Sequence, residues 1–141
     1  MTAAGLLYTG RAHMTGVTEG HVETDDGRLV VDVSAPGSPG TGTNPEQLLA
    51  AGWSACFALS LNVVAQGRRI ALPAEMSVDT EVDLLNTDPP YKGKFFVRAR
   101  IVVNLPGIDD ATARELLDAA HATCPYAEAT RGNVDVEISL R

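Results

Sequence analysis

"NPEQLLAAGWSACFALSLNVVA", residues 44–65, constrains the fold of this protein more than any other part of its sequence. Asn44 is a typical helix N-cap, Pro45 suits the first helical position, and Glu46 suits the first turn, so the stretch predicts a helix that stops at Gly67. No charged residue follows Glu46 within it. A helix that is apolar on all sides must be surrounded by other structure, and one sheet covers only one side of it. The stretch therefore predicts a homodimer with this helix near its centre.

The length and charge of the chain limit the classes of protein to which it can belong. Residues 1–141 are expected to form a single domain, which is long enough to bury a core without disulfides. A net charge of −7 and scattered basic residues argue against a nucleic-acid partner. The N-terminus lacks the pattern of a secretory signal, which favours the cytoplasm. The charge-free helix is rich in Gly, Ser, Asn and Gln, so we do not expect it to span a membrane.

Hydrophobic alternation and turn residues predict the remaining elements. The order is three strands, the long helix, two strands, two helices and a last strand, which predicts an α+β fold with a mainly antiparallel sheet. The predicted strands are 6–14, 20–33 with a hairpin turn at Asp26-Gly27, 75–85, 94–105 and 134–140; the predicted helices after the first run from Asp109 or Asp110 to His121 and from 124 to Gly132.

The two cysteines, Cys56 and Cys124, are either inert core residues or one redox pair. Cys124 precedes Pro125 and so lies at the start of a short helix, where free N–H groups stabilise a thiolate. Cys56 lies three turns inside its own helix, so its thiolate needs a cation from elsewhere in the fold. These features leave open which cysteine attacks first.

Glu46 is the charged residue of the long helix nearest to Cys56. About 15 Å of helix rise separates the two, so they cannot touch within one helix. If two helices pack antiparallel, Glu46 of one subunit approaches Cys56 of the other; the alternative is that Glu46 simply stabilises the helix N-terminus. His121 and Cys124 lack the second ligand pair that a zinc site needs, so His121 is expected to pack or to form hydrogen bonds.

Two long motifs, "GTNPEQLLAAGWSACF" at 42–57 and "CPYAEATRGNVDV" at 124–136, resemble those of the organic hydroperoxide resistance proteins of the OsmC superfamily. The similarity extends from "LLYTG" at 6–10 through "LPAE" at 72–75 to the last strand. It implies an intertwined homodimer in which antiparallel sheets enclose the central apolar helices, with active sites at the subunit interface.

The resemblance also implies a thiol peroxidase that reduces alkyl and fatty-acid hydroperoxides to alcohols. Cys56 matches the peroxidatic cysteine and Cys124 the resolving one, with which it forms an intramolecular disulfide. Glu46 matches a glutamate that holds a catalytic arginine near the thiol. The resemblance implies no bound cofactor and no metal; the reductant is an external dithiol, a dihydrolipoyl group on a lipoylated protein. Trp53 and Phe57, next to Cys56, are expected to receive the alkyl chain.

The sequence departs from this family at the arginine. Its position falls in "TGVTEG" at 15–20, where Thr18 occupies it. Arg11, His21 and Arg131 are the candidates to replace the missing cation. Loss of that cation favours an alternative function: a non-catalytic or weakly active thiol redox switch, or a hydrophobic-ligand-binding protein, with the same fold.

Overall fold

The computed structural model of the protein describes residues 4–141, which belong to two compact units. The first unit ends at Pro45 and the second spans Glu46–Arg141. The observed order of strands and helices is the predicted one, and the α+β fold class is confirmed. The single domain predicted over residues 1–141 stays a prediction.

The first unit contains the strands β1 Ala12–Thr15, β2 Glu19–Thr24 and β3 Val30–Ser34. They form an antiparallel sheet in the order β1-β2-β3. The hairpin predicted between β2 and β3 is confirmed, and its turn is built around Asp26, whose carboxylate accepts hydrogen bonds from the Thr24 hydroxyl at 2.8 Å and the Arg28 N–H at 3.0 Å. Gly27 follows with φ +72°, a conformation that glycine adopts without strain.

The first strand is shorter than predicted. The prediction placed it at 6–14, whereas β1 covers only Ala12–Thr15 and residues 4–11 have no regular structure. The reason is the length of its partner, because Ala12 pairs with Thr24, where β2 ends and the hairpin turn begins. Residues before Ala12 therefore have no residue of β2 with which to pair.

The elements that follow the first sheet are α1 Pro45–Gly67, β4 Ser77–Asp88, β5 Lys92–Asn104, α2 Asp110–Thr123, α3 Pro125–Thr130 and β6 Asp135–Leu140. In the second unit, helices α1 and α2 pack with strand β5 around one apolar core. The largest fully buried side chains include Trp53 and Leu61 of α1, Ile101 of β5 and Leu116 of α2.

The second sheet, in the order β4-β5-β6, is mixed rather than wholly antiparallel. The predicted pairing of β4 with β5 is antiparallel, as expected for two strands joined by a short connection. β5 and β6 are parallel, because α2 and α3 carry the chain back to the end of the sheet at which β5 starts. Within the described residues, three of the four strand pairs are antiparallel, which agrees with the predicted mainly antiparallel architecture, and β5–β6 is the parallel exception.

Defined local interactions fix the start of α2 and the end of α1. The α2 N-cap is Asp109, whose side chain accepts the Thr112 N–H at 3.0 Å. Gly67 is the last residue of α1, but the residue that reverses the chain is Arg69, at φ +57°. Its successor Ile70 donates its N–H to the Ala65 carbonyl at 2.9 Å, which completes a Schellman-type end.

The faces of α1 differ in burial although nearly all of its residues are uncharged. Trp53, Phe57, Leu61 and Ala65 lie in the core, whereas Leu59 and Val63 are 68% and 59% exposed. By length and composition alone, α1 could also cross a membrane. Its buried face, however, packs against β5 and α2 of the same unit.

Candidate active site

The two thiols lie next to each other in the second unit. Cys56 is half-buried on α1, and Cys124 is fully buried between α2 and α3. Their Sγ atoms are 3.5 Å apart, within hydrogen-bond distance for sulfur, although 68 residues separate them in the chain. No bond joins the two sulfurs. The structure thus brings together the two cysteines that the sequence singled out.

Cys124 is held by the junction of two helices. Its N–H donates to the Ala120 carbonyl at 2.8 Å and ends α2, while its carbonyl accepts the Glu128 N–H at 3.0 Å and begins α3. Its backbone is extended, and Pro125 takes the first position of α3, as the sequence predicted. Backbone hydrogen bonds on both sides therefore determine where this sulfur lies.

The surroundings of Cys56 oppose its ionisation. Burial raises the pKa of the Cys56 thiol, and the neighbouring Cys124 thiol raises it further. The Tyr126 backbone N–H is a hydrogen-bond donor to the sulfur and acts in the opposite direction, but the net pKa lies above the ordinary value. A reactive thiolate at neutral pH thus requires positive charge from outside this group of residues.

Glu46 lies in the first turn of α1 with one carboxylate oxygen, Oε2, buried. That oxygen has no hydrogen-bond partner among residues 4–141. Because α1 continues from Pro45 to Gly67, Glu46 remains about 15 Å of helix rise from Cys56, and the two do not meet within one chain. Burying a carboxylate oxygen without a hydrogen-bond partner is costly in free energy.

Trp53 and Phe57 lie in the core, with 1% and 0% of their surfaces exposed. Their predicted role in the substrate pocket stays a prediction. The Trp53 ring packs against Tyr126, with ring centroids 6.4 Å apart at an angle of 54°. Tyr126 is 36% exposed and is thus the accessible aromatic residue of this cluster. Sequence reasoning missed Tyr126, although it stands in the "CPY" motif directly after Pro125.

Thr18, where the family resemblance leads us to expect an arginine, is exposed in the turn between β1 and β2. Of the candidate replacements in the first unit, Arg11 pairs with Asp25 at 3.7 Å. His21 lies 3.0 Å from Asp32, and that hydrogen bond raises the pKa of His21. Both candidate cations are therefore already paired with carboxylates nearby.

The third candidate, Arg131, belongs to the same unit as the thiols. Its guanidinium pairs with Glu128 and donates to the His121 carbonyl at 3.2 Å. These contacts connect α3 to the end of α2. The side chain of His121 has its Nδ1 atom buried without a partner among the described residues. Within residues 4–141, no group of three or more His, Cys, Asp or Glu side chains could hold a metal ion.

Comparison with known proteins shows which family the chain belongs to. Residues 37–139 match the model of the OsmC-like proteins. An organic hydroperoxide resistance protein of Xanthomonas axonopodis pv. citri is 40% identical over 139 residues, which cover 96% of this chain and 95% of the relative. The chain belongs to the organic hydroperoxide resistance proteins of the OsmC family.

Solved structures of OsmC-family proteins share the fold. The crystal structure of the organic hydroperoxide resistance protein OhrB of Bacillus subtilis is 40% identical with a TM-score of 0.86, and the alignment covers 96% of this chain and 100% of that one. An organic hydroperoxide resistance protein of Legionella pneumophila is 42% identical with a TM-score of 0.87, covering 96% and 98%. The resemblance inferred from the two motifs is thereby confirmed over nearly the whole chain.

Proposed function

We propose that this protein is a thiol peroxidase that reduces organic hydroperoxides to alcohols. The observation that carries the proposal is the 3.5 Å distance between the Sγ atoms of Cys56 and Cys124. A disulfide of about 2.05 Å requires the sulfurs to approach each other by only about 1.5 Å more. Two thiols from distant parts of the sequence, this close and unbonded, are suited to a reversible disulfide.

The reaction has three balanced steps. The Cys56 thiolate attacks the distal oxygen of the hydroperoxide, the O–O bond breaks, and the proximal oxygen takes a proton and leaves as the alcohol, with Cys56 oxidised to a sulfenic acid. The Cys124 thiol then condenses with that sulfenic acid, forming the disulfide and releasing water. An external dithiol finally reduces the disulfide and becomes a disulfide itself. A dihydrolipoyl group on a lipoylated protein is the proposed dithiol.

The assignment of Cys56 as the attacking cysteine is supported by exposure. Cys56 is half-buried, whereas Cys124 has no exposed surface, so a hydroperoxide from solution reaches Cys56 first. Cys124 is in turn well placed to resolve, because its backbone is held at the α2–α3 junction. No metal or organic cofactor is needed in these steps, and the proposed compartment is the reducing cytoplasm.

The proposed active form is a homodimer. Leu59 and Val63 leave an apolar part of α1 exposed, which a second copy of α1 would cover. In an antiparallel pair, Glu46 of one copy would approach Cys56 of the other. The buried Oε2 of Glu46, which lacks a partner among the described residues, is consistent with a donor that only the assembled dimer supplies.

A second candidate function is a thiol redox switch, or a binder of hydrophobic ligands, with little turnover. It is favoured by Thr18 at the arginine position together with the raised pKa of the Cys56 thiol. A preorganised electrostatic partner of this kind contributes about 3–4 kcal/mol to the transition state, so its loss slows turnover severely. Either function uses the same pair of thiols.

Intact mass after one equivalent of an alkyl hydroperoxide tests the proposal. We expect the wild type to lose two hydrogens, Cys124→Ser to gain one oxygen, and Cys56→Ser to stay unchanged. If the mass of the wild type does not change, its thiols do not react with the hydroperoxide and the proposed peroxidase function is excluded. Rapid kinetics of the wild type beside Thr18→Arg separates the two candidates. A slow wild-type reaction that Thr18→Arg strongly accelerates favours the second candidate, with catalysis weakened by the missing cation. A fast reaction that Thr18→Arg leaves unchanged favours the peroxidase and means that another cation already stabilises the thiolate.

A further inference from the structure

Tyr126 contacts both sides of the thiol pair. It follows Cys124 by two residues, in the first turn of α3, and its backbone N–H is a donor to the Cys56 sulfur. Its side chain reaches across to α1, where the ring packs against Trp53 and Gly52. One residue thus connects the segment that carries Cys124 to the helix that carries Cys56.

Gly52 is the position on α1 that accepts this ring. It lies one helical turn before Cys56, and its φ is not in the left-handed region, so conformational freedom does not explain a glycine there. A Cβ at Gly52 would lie 2.8 Å from Tyr126 Oη and 3.4 Å from its Cε2 and Cζ atoms. Glycine inside a helix costs about 1 kcal/mol relative to alanine. Because Gly52 has no side chain, the tyrosine ring can approach the helix closely.

We propose that Tyr126 is a positioning residue for the thiol pair: its ring, packed on Gly52, holds the Cys124–Tyr126 segment against α1 and keeps the Cys124 sulfur beside that of Cys56. The catalytic consequence rests on the proposed function, since the step affected is disulfide formation between the two cysteines. The geometric part does not depend on it, because any oxidant that joins the two sulfurs reports on their proximity.

The first experiment measures the effective concentration of the two thiols, from the equilibrium of the Cys56–Cys124 disulfide with dithiothreitol. We expect Tyr126→Ala and Gly52→Ala to lower it about tenfold or more, because small misplacements of reacting groups are costly. Tyr126→Phe keeps the ring and should behave as wild type. Gly67→Ala is the matched glycine control on α1, because a Cβ there meets no atom within 4 Å.

The double variant Gly52→Ala/Tyr126→Ala tests whether the two positions act through one contact. If Gly52 is needed only to make room for the Tyr126 ring, adding Gly52→Ala to Tyr126→Ala should not lower the effective concentration further. Effects that add in full would overturn the proposal. So would a Tyr126→Ala variant with wild-type effective concentration, or a Tyr126→Phe variant as impaired as Tyr126→Ala. Tyr126 is partly exposed, so these variants are expected to fold.

The second experiment follows the reaction with an alkyl hydroperoxide. In Tyr126→Ala we expect the sulfenic acid of Cys56 to form and accumulate, because its condensation with Cys124 slows about tenfold while the first oxidation changes far less. Trapping with dimedone measures the accumulated sulfenic acid. If wild-type Cys56 never reacts with the hydroperoxide, the proposed peroxidase function fails, whereas the effective concentrations still decide the positioning role of Tyr126.

Discussion

The buried and exposed faces of α1 are made of similar residues in different surroundings. On one face, Phe57 and Leu61 are fully buried against β5 and α2. On the other, Leu59 and Val63 are 68% and 59% exposed, although they are equally apolar. Cys56 lies between the two faces, half-buried. The difference shows how much of the helix a single chain covers, and where the second copy of the proposed homodimer would pack.

The largest effect is expected on the buried face. Leu61→Ala should lower the free energy of unfolding by about 3–4 kcal/mol, because it leaves a cavity in a close-packed core. Urea denaturation measures this, and the loss should be the same at every protein concentration. A loss below about 1 kcal/mol would mean that the core of the second unit does not hold α1 as described.

The next effect concerns the exposed face. Leu59→Glu should weaken the proposed homodimer at least about a hundredfold, because it places a charge without a partner in an apolar interface. Sedimentation measures the dissociation constant. Ala111→Glu, on the exposed start of α2, adds the same charge elsewhere and should leave the dimer intact. A wild type that is folded and monomeric at micromolar concentration would contradict the proposed dimer.

Between the faces, the reactivity of Cys56 should depend on pH. The raised pKa of its thiol means that the thiolate is the minor form at neutral pH, so the rate of alkylation should rise about tenfold per pH unit until the pKa is reached. Iodoacetamide kinetics in Cys124→Ser measure Cys56 alone, and denatured protein provides the ordinary thiol for comparison. A rate independent of pH from neutrality upwards would show that a cation already keeps the thiolate ionised.

The smallest effect concerns a polar contact beside Cys56. Ser54 donates a hydrogen bond from its hydroxyl to the Thr80 hydroxyl of β4 at 2.8 Å. Ser54→Ala should cost about 1 kcal/mol of unfolding free energy, because Thr80 loses its partner in a partly buried site. Adding Thr80→Val should recover part of the loss. If the double variant is as unstable as the sum of the single ones, the two hydroxyls do not act as a pair.

Much of the fold could be predicted because it depends on local patterns. Strict alternation predicted β4 and β5, and the Asp and Pro residues at helix starts predicted α2 and α3. The first strand was predicted too long because alternation in residues 6–11 says nothing about whether a neighbouring strand extends beside them. The parallel pairing of β6 likewise depends on where two helices return the chain.

The site was only partly predictable. Cys56 and Cys124 could be identified as a candidate pair from their residue type and helix positions, and by family resemblance. The proposed role of Tyr126 could not, because its contact with Gly52 connects residues 74 positions apart and has no local signature. Trp53 and Phe57 flank Cys56 in sequence, and only the structure shows that the turn of the helix directs both into the core.

The order of elements, the long and almost uncharged helix and the two candidate thiols could be inferred from the amino-acid sequence, since they follow from periodicity, capping residues and composition. The three-dimensional fold was needed to show that the two sulfurs lie 3.5 Å apart, that one face of α1 is covered and the other is not, and that Tyr126 packs over Gly52. Distance along the chain explains this division, because local propensities act within a few residues, whereas each of these contacts joins separate elements through packing.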